Sequence, residues 1–135
     1  MWKTDEFDMC LLYLSELAPD RSAGVVKDIF SLSRRRNPSY GITGALLFDG
    51  GRFCQLLEGP EKQVQRLMQC IREDERHVHV EVLGEHRKLD ERRLNGWRAG
   101  YCDASALDTL EAFRGADGAT AIRAFLSVLP GADLE

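Results

Sequence analysis

Tyr13, Asn37 and Gln55 are the residues of this sequence whose types and placement could do chemistry. Gln55 stands in the run Phe53-Cys54-Gln55-Leu56-Leu57, where strand alternation puts it on the same face as Phe53 and Leu57. If that face is core, an amide is being buried. Leaving such a group unpaired costs about 1–3 kcal/mol, so a partner is expected. Tyr13 lies in an apolar run of its own, Met9 to Ser15, and a phenol both donates and accepts. Asn37 would add a second amide fork. Together the three suit the edge of a planar heterocycle bearing carbonyls and ring nitrogens. They equally suit a Tyr–Gln hydrogen bond satisfied inside the core, with Asn37 an ordinary helix-end residue.

The elements that must position these side chains can be read in order. Met9 to Ser15 suits a central strand buried on both faces, Leu11, Tyr13 and Ser15 on one and Cys10, Leu12 and Leu14 on the other. From about Ser22 to Arg36 the apolar positions Val25, Val26, Ile29, Phe30 and Leu32 recur at helical spacing. Pro38 and Gly41 are expected to stop that helix, with Asn37 pushed toward an extended backbone. GITGALLF and RFCQLLE then form a hairpin about Asp49-Gly50-Gly51, and Gly59-Pro60 opens a second helix, Glu61 to Asp74. Its apolar stripe is Val64, Leu67, Met68 and Ile71. Val78 to His86 reads as a fourth strand, Arg87 to Arg93 as a charged connector, and Trp97 to Cys102 as a weaker fifth strand. Helical patterns follow around Ala104 to Phe113 and Thr120 to Leu129.

The order β-α-β-β-α-β predicts an α+β fold of ferredoxin-like type, with an added strand and C-terminal helices. Strands one and three are neighbours at the centre of such a sheet, so Tyr13 and Gln55 meet if both face the helices. The opposite face, with Cys10, Leu12, Leu14, Cys54 and Leu56, is too apolar for water. The C-terminal helices, a second subunit, or both must cover it.

Composition limits the rest. The chain has 135 residues, enough for one domain that buries roughly two-thirds of its unfolded surface. Its apolar share of 44%, charged share of 30% and net charge of −4 are those of a globular protein and argue against a nucleic-acid partner. The triplet Arg34-Arg35-Arg36 suits the negative end of a helix. No apolar run is long enough for a membrane span, and the first residues lack a signal layout. Cys10, Cys54, Cys70 and Cys102 lack metal spacing and read as packed, reduced thiols of a cytoplasmic protein.

The wording of the motifs carries a resemblance. Tyr13-Leu14-Ser15, Ser33-Arg34, Asn37, GITGALLF, Phe53-Cys54-Gln55-Leu56-Leu57-Glu58-Gly59, Asp74-Glu75-Arg76-His77 and Gly96-Trp97 resemble the BLUF family of flavin-based blue-light sensors, from about Met9 to Tyr101. The resemblance implies a photoreceptor and not a conventional enzyme, holding FAD non-covalently, with FMN and riboflavin as alternatives. Tyr13 matches the redox-active tyrosine and Gln55 the glutamine between it and the flavin. Asn37 matches the residue on the pyrimidine edge, Ile29 and Ile71 the aliphatic sandwich, and Phe53 a nearby aromatic. Arg76 and His77 match a pair close to the cofactor, with a solvated turn as their plain alternative. Trp97 matches the tryptophan of the last strand, equally readable as that strand's hydrophobic anchor. Two departures stand out: Ala99 replaces the family's usual methionine, and Cys70 a basic or imidazole side chain.

On this reading residues 1–102 form the photosensory domain and 103–135 a helical extension on the sheet or at a dimer interface. Output would go to a separate signalling protein or through a homo-oligomer, since the remaining length leaves no room for an effector enzyme. The competing expectation is a flavin-free interaction module on the same scaffold. A small hydrolase of acylphosphatase type would need an arginine-rich anion loop, and SELAPDRSAG offers Arg21 alone.

Overall fold

A computed structural model describes residues 7–134. Residues 1–6, where the sequence offers no signal layout, and residue 135 lie outside the described residues. The chain runs β1 (Asp8–Leu17), α1 (Gly24–Ser39), β2 (Thr43–Phe48), β3 (Arg52–Pro60), α2 (Glu61–Glu73), β4 (His77–Leu89), β5 (Trp97–Tyr101), α3 (Ala104–Glu111), α4 (Gly118–Val128) and β6 (Asp133–Leu134), with a short 3-10 turn at Leu129–Gly131. The sheet order is β4-β1-β3-β2-β5-β6, so the ferredoxin-like core β4-β1-β3-β2 is extended at one edge. All pairings are antiparallel except β2 with β5.

The hairpin closes as its turn residues dictate. Asp49 Oδ1 accepts from Gly51 N at 2.9 Å and from Arg52 N at 2.7 Å, while Gly50 takes the positive φ of 106°. The end of α1 differs from expectation. Pro38 does not stop the helix, and Asn37 is helical. The stop is Gly41, at φ 73°, with Gly41 N donating to the Pro38 carbonyl at 3.0 Å and Ile42 N to the Asn37 carbonyl at 2.9 Å. This paired 5→2 and 6→1 closure needs a left-handed residue at Gly41, and it tolerates Pro38 inside the last turn. Pro60 likewise ends β3 and stands just before α2 rather than inside it.

Three further features differ from expectation. β4 continues through Arg87 and Lys88 to Leu89, where a connector was expected, and it pairs with β1 through register shifts. Bulges of this kind break the period-2 pattern that a sequence reading relies on. β6 is an unforeseen two-residue strand on β5. Cys70, expected to be packed, is exposed.

The two sheet faces carry separate cores. Tyr13, Leu11, Leu57 and Phe53 face α1 and α2, with Val26, Ile29, Phe30, Leu67 and Ile71. Cys10, Leu12, Leu14, Cys54 and Leu56 face α3 and α4, with Leu107, Leu110, Ile122 and Phe125. The chain's own C-terminal helices therefore cover the second face. Arg52 holds α3 there, pairing with Asp108 at 2.8 Å and Glu111 at 3.3 Å. The start of α4 approaches β4 so closely that a Cβ on Gly84 would lie 2.6 Å from the Gly118 carbonyl oxygen. Phe125 is fully buried at the middle of this layer. Phe125→Ala should cost about 3–5 kcal/mol by the usual price of an aromatic core truncation. A urea unfolding curve should show one transition with a lowered midpoint, because α4 shares a core with the sheet.

Candidate functional site

The central pair is set by register. Tyr13 of β1 lies directly opposite Gln55 of β3, and both point toward the α1/α2 layer. The Tyr13 hydroxyl donates to Gln55 Oε1 at 2.5 Å, with both side chains at most 2% exposed. This is the partner that the buried amide requires. Burial pushes the Tyr13 phenol above its ordinary pKa, so it is neutral. With Oε1 engaged, the amide NH2 of Gln55 is the group left to meet anything that enters the adjoining cleft.

That cleft opens between α1, α2 and the sheet. Tyr13, Gln55, Ile29, Ile71, Arg76 and His77 all line it. The space between atoms there is about 360 Å3 with the open mouth counted. Only about 20 Å3 of it is wide enough for a water, so the shape is a narrow slot. Ile29 from α1 and Ile71 from α2 supply aliphatic walls, and the polar groups converge at the sheet end and the mouth.

Three anticipated residues stand behind this wall rather than in it. Asn37 lies one helical turn beyond Ser33, which does line the cleft. Asn37 is fully buried; its Oδ1 accepts from Arg36 Nε at 3.2 Å, while its Nδ2 has no partner. A buried amide donor without an acceptor is costly and marks a place where a ligand carbonyl would be stabilising. Phe53 packs beneath the site, its ring 4.7 Å from His77 and 4.6 Å from Phe48. Trp97 donates from Nε1 to Ser33 Oγ at 3.1 Å, which ties β5 to the cleft face of α1. Ala99 is fully buried in the cluster that holds Phe30, Phe48 and Phe53.

The Arg76–His77 pair divides by environment. Arg76 forks onto Asp74 with contacts of 2.7 and 3.0 Å at the mouth. Burial alone would raise the Asp74 carboxyl, but its bonds with Arg76 outweigh that and hold it low. His77 is buried, its Nδ1 shares a 3.0 Å hydrogen bond with Ser15 Oγ, and its ring meets Tyr13 edge-on. Burial pushes its imidazole down to about 4, so it is neutral beside the phenol.

Leu32, Ser33, Arg36, Leu46, Cys70 and Asp74 also line the cleft, and none was singled out as a site residue from the sequence. The signal for two of them was available: Ser33 and Arg36 follow Ile29 at i+4 and i+7, on one helix face.

The fold and this cleft define a class: an α+β sandwich of ferredoxin-like type with a slot between two helices and a buried Tyr–Gln pair. The chain belongs to the BLUF family, sensors of blue-light using FAD, whose model matches residues 9–100. It is 40% identical over 73 residues to the blue light- and temperature-regulated antirepressor BluF of Escherichia coli (strain K12), a match covering 54% of this chain and 18% of that protein. It is 41% identical over 70 residues to the photoactivated adenylate cyclase subunit alpha of Euglena gracilis, covering 52% of this chain and 7% of that one. The match thus spans less than a fifth of these curated relatives. Among solved structures, the BLUF protein BlrB in its dark state aligns with a TM-score of 0.67 at 27% identity, over 84% of this chain and 86% of that one. The photo-activated state of BlsA aligns with a TM-score of 0.77 at 22% identity, over 96% and 99%, a likeness of fold.

His77 leads to a prediction about pH. The unfolded histidine takes a proton below about 6.5 and the folded one only below about 4, so the unfolded state binds more protons between those values. Stability should therefore fall as the pH drops from 6.5 to 4, by up to about 3 kcal/mol. The Asp74 contribution is lost only at still lower pH. Urea midpoints measured across this window should fall in the parent chain and change less in His77→Gln.

Proposed function

We propose that the Tyr13–Gln55 pair is the photochemical switch of this chain, acting on a flavin held non-covalently in the cleft, with FAD as the flavin. The observation that carries this is the 2.5 Å hydrogen bond from a buried neutral phenol to a buried amide at the wall of a slot between the two helices. The residues fit the cofactor: Ile29 and Ile71 for its faces, the Gln55 NH2 and the orphan Asn37 Nδ2 for its carbonyl edge, Arg36 and Arg76 at the mouth for phosphate. Phe53, His77 and Trp97 support the arrangement from behind and beside it.

A flavin bound there supplies, after absorbing blue light, an acceptor strong enough to oxidise a phenol. Tyr13 is the phenol that would supply the electron, and on oxidation it would become a strong acid. Its proton leaves along the hydrogen bond that ends on Gln55 Oε1. When electron and proton return, Gln55 is left with its amide turned or as its tautomer. The set of donors it presents to the cleft has then changed, and a new hydrogen bond to the ring carbonyl shifts absorption to the red. Cys54 takes no part, since it faces the other side of the sheet and burial raises its thiol pKa well above the usual value.

Absorption spectra before and after blue light test the switch. The purified protein should be yellow, release FAD on acid denaturation and show a small, reversible red shift. Tyr13→Phe and Gln55→Leu should each retain flavin and lose the shift. A colourless protein that takes up no flavin, or a normal shift in Gln55→Leu, would sink the proposal.

For output, we propose a division into a sensory domain, residues 1–102, and a helical extension, residues 103–135, that reads the sheet. The signal goes on to a separate cytoplasmic protein or through self-association. Ala99 has no side chain that could relay a change along β5, whereas Cys54 and Leu56 flank Gln55 and pack in one cluster with Leu110 and Phe125. Hydrogen exchange in the dark and under light should change protection in α3 and α4. A change confined to β5, with 104–128 unaffected, would return the role to Trp97 and its bond to Ser33.

A further inference from the structure

A second hollow lies on the opposite face of the sheet, where β2 and β5 meet α4 and the C-terminal turn. Its volume is about 400 Å3. Ala45, Leu126, Leu129 and Leu134 give it an apolar lining, and Arg93 and Arg98 line it as well. Both arginines are exposed. An exposed arginine that lines an apolar hollow lays its methylene stem along the wall and keeps its guanidinium at the mouth.

Arg52, Arg76, Arg87, Arg92 and Arg114 each pair with a carboxylate 2.7 to 2.8 Å away. Neither Arg93 nor Arg98 has a side-chain carboxylate partner among the described residues. In a chain of net charge −4 this leaves two guanidinium groups together at the rim of an apolar hollow. Guanidinium groups bind carboxylates in a fork, and the lining beneath them removes hydrocarbon from water.

The walls are also held in place before any ligand arrives. Glu58 of β3 is fully buried on this face, and its carboxylate accepts from Arg93 N at 2.7 Å and Leu94 N at 3.0 Å. These bonds pin the segment between β4 and β5 that carries Arg93. On the far side, Leu134 is placed by the pairing of β6 with β5. A preformed site loses less entropy on binding.

We propose that this hollow is a binding site for a small anionic amphiphile, a carboxylate on a short hydrocarbon or aryl tail. The tail lies against Leu126, Leu129 and Leu134, and the carboxylate meets Arg93 and Arg98. The site is separated from the cleft of Tyr13 and Gln55 by the sheet itself and does not rest on the flavin reading.

The test is calorimetric titration of the full chain with sodium decanoate, kept below its micelle concentration. One saturable site is expected. Decyltrimethylammonium, with the same tail and the opposite head charge, should give none. Arg93→Gln combined with Arg98→Gln should weaken decanoate at least tenfold with an unchanged melting curve. Leu126→Trp, which fills the hollow and keeps both arginines, should weaken it as well. The proposal is overturned by the absence of saturable decanoate binding, by equal binding of both head groups, or by decanoate affinity that survives either the double arginine change or Leu126→Trp.

Discussion

The structure depends on one hydrogen bond between side chains that an apolar layer would otherwise reject. Tyr13 and Gln55 face each other across the two central strands, and each is the other's answer to burial. Had either been apolar, the survivor would be an unpaired polar group in a low-dielectric core, at a cost of about 1–3 kcal/mol. The sheet register that makes them meet is in turn protected, because a one-residue slip would move Leu11, Tyr13, Leu57 and Phe53 to the other face. The Tyr13–Gln55 pair is thereby held by the same packing that holds the domain together.

The same periodicity explains what a sequence reading could reach. Two-residue alternation in β1 and β3 is enough to assign both faces and to bring Tyr13 to Gln55 if both face the helices, because these central strands carry large side chains on both faces and no bulge interrupts their mutual pairing. β4 was less legible, since its ladder with β1 slips at three places and His79 and Lys88 sit at positive φ. The end of α1 was misplaced by trusting Pro38, which is unfavourable within a helix yet was outweighed by the closure at Gly41. β6 was invisible because two residues carry no period at all.

At the cleft the legible residues were those named by strand alternation or by a motif. Tyr13, Gln55, Ile29, Ile71, Arg76 and His77 line one cleft. Ser33 and Arg36 were not assigned to the site because polar residues on a helix read as solvent-facing until a neighbour is known to cover them. Ser33 is in fact buried, bonded to Trp97 Nε1 and to the Phe30 carbonyl. The environment of Asn37 could not be read either, since an orphan donor is a property of three-dimensional surroundings and not of residue type.

β3 is the element through which the two faces of the sheet can communicate. Gln55 touches the cleft side, while its neighbours Cys54 and Leu56 lie in the core beneath α3 and α4. Three residues on, the buried carboxylate of Glu58 grips the segment that leads into β5 and so to Trp97. Gly44 of β2 comes so near that a Cβ there would lie 1.9 Å from the Leu56 carbonyl oxygen and 3.0 Å from the Trp97 ring. Around Gly44 there is no slack, so a shift of the β3 backbone at Leu56 meets β2 and the Trp97 ring at once. Close-packed cores respond to such a change by moving between discrete packings rather than by yielding continuously. The packed core that joins Cys54 and Leu56 to Leu110 and Phe125 is therefore suited to carry a small rearrangement at β3 to the helices on the far side of the sheet.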